Sequence, residues 1–230
     1  GLDFAATADH WSSLGRPSYE QCLQWAEEAN RPGEFVTLFA DERNPKRPMG
    51  HHNLYCRTRS EFERLAWYTY DPQKVPDYER ALYEELRQLD PGPIMIVPHH
   101  TGISFGKGSA AIEASAFDGT GLPEQFRPIM EVFSMHGQSE RYAPGEPLSY
   151  ERHRDTTLEG RVNRSVPGPH YARDYWKQGY KIGVIGSSDC HSGQPGRSFS
   201  GIAGVMATSL TREAIFEAIS AVTTTGLSTL

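Results

Sequence analysis

No stretch of this 230-residue chain approaches the roughly 18 consecutive apolar residues of a membrane-spanning helix, and no secretory leader pattern opens it. A membrane span is therefore not implied. Cysteine is scarce. The three present, Cys22, Cys56 and Cys190, are far apart and odd in number, and none forms a Cys-x-x-Cys pair. They give no disulfide framework, which fits a reducing, cytoplasmic compartment. Positive charge is short as well: 23 Lys and Arg against 29 Asp and Glu leave a formal net charge of -6. A nucleic-acid partner held through phosphate contacts is not favoured. An anionic substrate would need local positive charge, from metal ions or a few arginines. There is no internal repeat, no low-complexity tract and no interdomain linker. Nor is there a Ser-His-Asp or Cys-His pattern for a side-chain nucleophile.

What remains is enough apolar material, 37% of residues, for one sizeable core. The expectation is a single domain over residues 1–230, opening at Gly1 within a strand and so truncated at its N-terminus. Short strands and helices alternate. Residues 1–7 read as a strand leading to Asp9-His10. Residues 18–30 read as a helix, with Ser18 and Gln21 forming a capping box and Arg31-Pro32-Gly33 stopping it. Residues 34–40 are a second strand, ending at Asp41-Glu42, and residues 53–57 a short extended piece. Residues 77–89 are helical, with Leu82, Leu86 and Leu89 on one stripe. Residues 93–98 and 128–134 are buried strands that end at His99-His100 and Met135-His136. Residues 137–168 form a polar excursion of the kind that is more often functional than structural. A short helix at 171–178, a strand within 181–188, a last strand at 202–208 and a helix capped by Thr211 complete the chain. Such alternation predicts a mostly parallel β/α barrel or open sheet.

Five of these strands end alike. They deliver Asp9-His10, Asp41-Glu42, His99-His100, Met135-His136 and Asp189-Cys190-His191. In the last, residues i and i+2 of an extended chain face one side, so a carboxylate and an imidazole converge just past the strand. Parallel strands place their C-terminal ends on one rim. The mixture of imidazole and carboxylate suits Zn, Mn or Fe ions. Six or more candidates exceed the needs of one tetrahedral ion, and a bridging carboxylate would allow two or three. Such ions lower the pKa of bound water from about 15.7 to roughly 7 and stabilise the entering and leaving oxygens of an ester.

These residues also resemble a known family. Thr7-Ala8-Asp9-His10 is similar to the second motif of the polymerase and histidinol phosphatase (PHP) superfamily, Val97-Pro98-His99 to its third and Ser188-Asp189-Cys190-His191 to its fourth. Met49-Gly50-His51-His52-Asn53 and Glu131-Val132-Phe133-Ser134-Met135-His136-Gly137 resemble a poorly characterised PHP-like branch more closely. The resemblance runs over nearly the whole chain. It implies an α/β fold, a distorted (β/α)7 TIM-like barrel of PHP type, and a trinuclear metal site. His10, Glu42, His99, His136, Asp189 and His191 would be the ligands, with Glu42 bridging. The family's opening His-x-His is not in this sequence, so the resemblance also implies a barrel missing its first strand. Two of the three metal positions depend partly on that motif. The set Glu42, His99 and His136 could still hold one ion.

Other assignments keep two sides. His100 either orients substrate or is solvated, and His51 either faces the site or lies on the surface. Asp189 and His191 are candidates to shuttle a proton. Arg57 and Arg197 match a phosphate's oxygens, with a surface salt bridge as the competing reading. Glu131 is either a partner that orients a histidine or a buried, paired carboxylate. The leading expectation is a phosphoesterase acting on a small-molecule phosphoester. The alternatives are a metal-dependent hydrolase of amide, lactone or sulfate esters, and a catalytically silent metal-binding fragment.

Overall fold

Two apolar, β-branched runs, Val36-Thr37-Leu38-Phe39 and Ile94-Met95-Ile96-Val97, become strands that are buried along these runs, as expected of strands covered on both faces. They anchor the largest sheet of a computed structural model that describes residues 1–10, 16–44, 50–67, 78–104, 124–153, 164–196 and 200–221. The elements in chain order are β1 (Phe4–His10), α1 (Arg16–Ala29), β2 (Val36–Arg43), β3 (His52–Cys56), α2 (Arg59–Trp67), α3 (Tyr78–Leu86), β4 (Ile94–Pro98) and β5 (Ile103–Ser104). A 3-10 turn, Glu124–Phe126, leads to β6 (Ile129–Ser134), β7 (Gly137–Gln138), α4 (Tyr150–His153), β8 (Arg164–Ser165), α5 (Ala172–Lys177), β9 (Gly183–Gly186) and α6 (Arg212–Ser220).

Among the described residues the strands form three sheets, β1-β2-β3-β4, β7-β6-β9 and β5-β8. β1 and β2 are parallel, β3 is antiparallel to both β2 and β4, and β6 and β9 are parallel. The expected (β/α)7 TIM-like barrel is therefore corrected: the fold is mixed α/β, and no closed barrel occurs among the described residues. One cause is visible in the chain. The link from β2 to β3, residues 44–51, is shorter than the dozen or so residues that a parallel crossover needs, so β3 must turn back.

The expected strand at 202–208 is also absent. The chain enters that segment through a backbone contact so close that a Cβ on Gly201 would lie 2.5 Å from the Phe133 carbonyl oxygen and 2.6 Å from that of Ser187. The described residues of the excursion at 137–168 carry three short elements, β7, α4 and β8. α1 begins at Arg16, ahead of the expected Ser18 cap. Pro17 accounts for this, since a proline in the first helical turn removes only an N–H that would have no partner there.

Strand alternation sorts the side chains into two cores. Phe39, Leu54, Cys56, Ile94 and Ile96 face outward, against Phe62 and Leu65 of α2, Leu82, Tyr83 and Leu86 of α3, and Tyr175 of α5. Val36, Leu38, Met95, Val97 and Ile129 face the other way, against Ile215, Phe216 and Ile219 of α6. Thr211 caps α6, its hydroxyl accepting from the Ala214 N–H at 3.3 Å. Extended toward the C-terminal strand ends, the second set of positions delivers His10, Glu42 and His99, which is why polar groups sit at the end of an apolar layer.

Candidate metal centre

Glu42 is the last inward residue of β2, two positions past Ala40 and four past Leu38. Its carboxylate is buried, and three imidazoles surround it. His10 Nε2, from the end of β1, lies 3.4 Å from Oε2. His99 Nε2, just past β4, lies 3.4 Å from Oε1, and His51 Nδ1, just before β3, lies 3.9 Å from the same oxygen. Asn44 ties them together. Its Nδ2 donates to Glu42 Oε1 at 2.6 Å, and its Oδ1 accepts from His10 Nδ1 at 2.9 Å. That bond places a proton of His10 on Nδ1 and turns Nε2 toward the carboxylate.

A second group lies alongside. Asp189, past the end of β9, places Oδ2 3.2 Å from His136 Nε2 and 3.8 Å from His100 Nε2. The His100 ring is 4.0 Å from that of His99 and 5.0 Å from that of His136, centre to centre. Ligand-type atoms of Glu42, His51, His99 and His100 lie within 4.8 Å of one another, and so do those of His100, His136 and Asp189. These buried His, Glu and Asp groups can bind a metal ion. Among the described residues, His100 (φ 34°) and Asp189 (φ 49°) are the two non-glycine positions with positive φ. That conformation is uncommon outside glycine and tends to gather at functional sites.

Burial and charge set the protonation states. Burial lowers the His99 imidazolium, but the hydrogen bond and charge of Glu42, with Asp189 and Glu131 behind, reverse this and raise its pKa to about 9. Burial raises the Glu42 carboxyl, and His99 together with His10 more than offsets it, leaving Glu42 below its ordinary value. Asp189 follows the same pattern, with His136 as its main opponent of burial. Burial and the nearby charge of His99 push His51 down to about 3 and His100 well below its ordinary value. Glu42 and Asp189 are thus held ionised, His51 and His100 neutral, and His99 protonated. That proton supplies charge which a cation would otherwise supply.

The expected ligands divide accordingly. Glu42 and His99 fall in one group, His136 and Asp189 in the other. His10 stands at the rim of the first, its side chain 41% exposed. His191 is more open still, at 59%, with Nδ1 3.5 Å from Asp189 Oδ1 and 3.0 Å from the Asp189 carbonyl oxygen. His51 and His100, read from sequence as substrate-facing or catalytic, stand among the ligand-type groups. Asp9 turns away, its Oδ2 accepting from Cys22 of α1 at 3.8 Å. Arg57 is not brought to the site. It follows Cys56, which pairs with Ile94 at the far end of β4 from His99, and its N–H bonds the Pro93 carbonyl. At about 3.3 Å per residue that is some 15 Å or more from the cluster. Antiparallel β3 is the reason. Arg197 lies outside the described residues.

Two participants, and one buried histidine on the opposite face of β3, were missed in the sequence. Asn44 shares the alternation of Glu42, and that spacing was the available signal. Ser187 shares the alternation of Asp189 in the same way. His52 is buried at the start of β3, where Nδ1–H donates to Gly50 O at 2.9 Å and Nε2 accepts from the Tyr83 hydroxyl at 2.7 Å. A cleft of about 580 Å³ opens over His10, Glu42, His99, Asp189 and His191. No curated protein and no solved structure matches the chain. A family model does match it, over residues 2–199, and the chain accordingly belongs to the family described as Protein of unknown function (DUF3604).

Proposed function

We propose that this chain is a metal-dependent hydrolase that uses two divalent transition-metal ions, zinc, manganese or iron, to cleave a small-molecule phosphoester. One ion would be held by Glu42, His51 and His99, the other by His136 and Asp189, with His100 between them. The carrying observation is the meeting of two adjacent His and carboxylate groups at the C-terminal ends of β2, β4, β6 and β9. The sequence's resemblance to the PHP superfamily supports the same reading.

The donor set fits such ions, because neutral imidazole nitrogen and carboxylate oxygen together suit borderline-soft cations. A bound divalent ion supplies Lewis acidity, bringing the pKa of water from about 15.7 to roughly 7 and drawing charge from an ester oxygen. The chain's own groups do the rest. Glu42 and Asp189 stay ionised at neutral pH. His51 and His100 are held neutral by burial and need lose no proton to become donors. Asn44 orients His10. His191 sits at the open rim with Nδ1–H on the Asp189 carbonyl, so its Nε2 is the basic nitrogen and can exchange a proton with a leaving group. His99 and His100, both buried, keep bulk water from the floor of the cleft.

The test is elemental analysis of the purified protein, followed by assay on phosphate mono- and diesters with added Zn²⁺ or Mn²⁺. The expected result is stoichiometric metal and hydrolysis that falls at least a hundredfold in a folded His99→Ala variant. No bound transition metal in the wild type removes the reading. Metal without turnover on any substrate points to a silent binding module.

One observation favours a second reading. Among the described residues, neither Lys nor Arg lines the cleft, and an adjoining cavity of about 140 Å³ is walled by Leu38, Tyr55, Met95 and Val97. An uncharged amide, lactone or ester with an apolar substituent suits that lining. Turnover of acyl substrates with none on phosphoesters would select it.

A further inference from the structure

The Glu131 carboxylate is buried on β6 and lines the cavity, without being a member of either group of ligand-type atoms. One oxygen, Oε1, accepts from the backbone N–H of His100 at 3.3 Å. The other, Oε2, accepts a short hydrogen bond from the hydroxyl of Ser187, two residues before Asp189. The two oxygens thus reach the ends of β4 and β9. These strands share no ladder, because β4 lies in the first sheet and β9 pairs with β6 in another. They are the two strand ends at which the chain enters a positive φ, at His100 and at Asp189. Glu131 also sits where the register of β6 against β9 shifts, between Glu131 and Phe133. Bulges of this kind re-aim side chains beside active sites.

We propose that Glu131 is a positioning residue that clamps the strained backbones at His100 and Asp189, and so presets the second group, His100, His136 and Asp189, for its ion. The strain supports this. A non-glycine residue with positive φ persists only where its surroundings hold it there. At His100 that hold includes the N–H bond to Glu131. At Asp189 it includes the Ser187 hydroxyl, seated on the same carboxylate. A single side chain therefore sets the relative position of two strands that carry ligand-type groups but do not pair. The first group shares His100 with the second but is tied elsewhere by Asn44, whose amide meets Glu42 and His51.

The proposal rests on the metal reading of the site, and the experiment keeps the two apart. The 230-residue chain and its Glu131→Leu, Glu131→Gln and Ser187→Ala variants are titrated with Co²⁺, and the visible spectrum is followed. In a separate arm, exchange of the His100 amide is measured by NMR on metal-free protein. The clamp requires Glu131→Leu to weaken the second Co²⁺ by about ten- to a hundredfold, as loss of an outer hydrogen-bond partner does, with an altered second-step spectrum and a first step weakened less than the second. Ser187→Ala should lose less than Glu131→Leu. Glu131→Gln, which keeps an acceptor for the His100 N–H, should stay within about threefold of the wild type. In the metal-free arm, His100 amide exchange should be at least tenfold faster in Glu131→Leu. If Glu131→Leu only melts earlier, with both Co²⁺ steps and the His100 amide unchanged, the clamp is overturned. If the wild type takes up no Co²⁺, the metal reading fails, and the His100 amide still decides for or against the clamp. Should Glu131→Leu not fold, Ser187→Ala and Glu131→Gln carry the comparison, and equal Co²⁺ binding by Ser187→Ala and wild type overturns it.

Discussion

Asn44 lies two residues beyond Glu42, and its one amide group meets three site residues. Nδ2 is 2.6 Å from Glu42 Oε1 and 3.3 Å from His51 Nδ1, while Oδ1 is 2.9 Å from His10 Nδ1. Without it, His10 loses the acceptor for its Nδ1 proton, and the ring is no longer oriented with Nε2 toward the carboxylate. The expected effect of Asn44→Ala is a ten- to hundredfold loss in zinc affinity at little cost in fold, the usual size for an outer-shell partner. Competition against a chromophoric chelator measures it. An affinity within twofold of the wild type would show that the amide is incidental. Asn44→Asp should be worse than Asn44→Ala for the metal-free protein, because it puts a second carboxylate against Glu42 in a buried setting.

At the scale of elements, the most legible feature was the strand end. His10, Glu42, His99, His136 and Asp189 were each read as standing past an apolar run, and four of the five fall in the two compact groups. Period-2 alternation is sufficient for that, since the same parity that buries Leu38 and Val97 aims Glu42 and His99. The direction of β3 was less legible, because it depends on the length of a connection and on no composition. That one reversal sends Arg57 to the wrong end of the sheet and breaks the barrel pattern. His52 was hidden because a histidine after a proline- and glycine-bearing loop looks solvated until Tyr83, from a helix far along the chain, covers it. Helix α6 was readable down to its cap. Thr211→Ala removes one accepted N–H bond, so a loss of about 1 kcal/mol is expected, which for a domain of this size is about 2–4 °C in melting temperature. Calorimetry should find that loss with zinc affinity unchanged. A change in affinity would mean that α6 communicates with the strand ends through the Val36, Leu38 and Ile215 layer.

At the scale of the whole molecule, the buried histidines pull stability in opposite directions with pH. His51 and His52 are lowered to about 3, mainly by burial, and His100 falls well below its ordinary value. A histidine kept neutral in the fold gives its full contribution above about pH 6.5, and that contribution is lost as pH falls toward its folded value. His99, raised to about 9, runs the other way. Its contribution is complete below about pH 6.5 and disappears as pH rises toward 9. Glu131, raised by burial, adds to the loss with rising pH, and Glu42 and Asp189, both lowered, add to the loss at acid pH. Metal-free protein should therefore have its highest melting temperature near pH 6.5 and fall on both sides. The fall should be steeper toward acid, where three histidines act together. Zinc steepens the acid side, where its ligands take up protons, and its effect on the alkaline side is the diagnostic one. To coordinate, His99 must give up the proton that Glu42 holds on it, so the alkaline decline should flatten in the loaded protein. Loading at pH 7.5 should release about one proton from His99. Calorimetric titration in two buffers of different ionisation enthalpy counts that proton. Zinc binding at this pH without proton release would mean that His99 is already neutral, and the pairing of Glu42 with a charged imidazole would have to be abandoned.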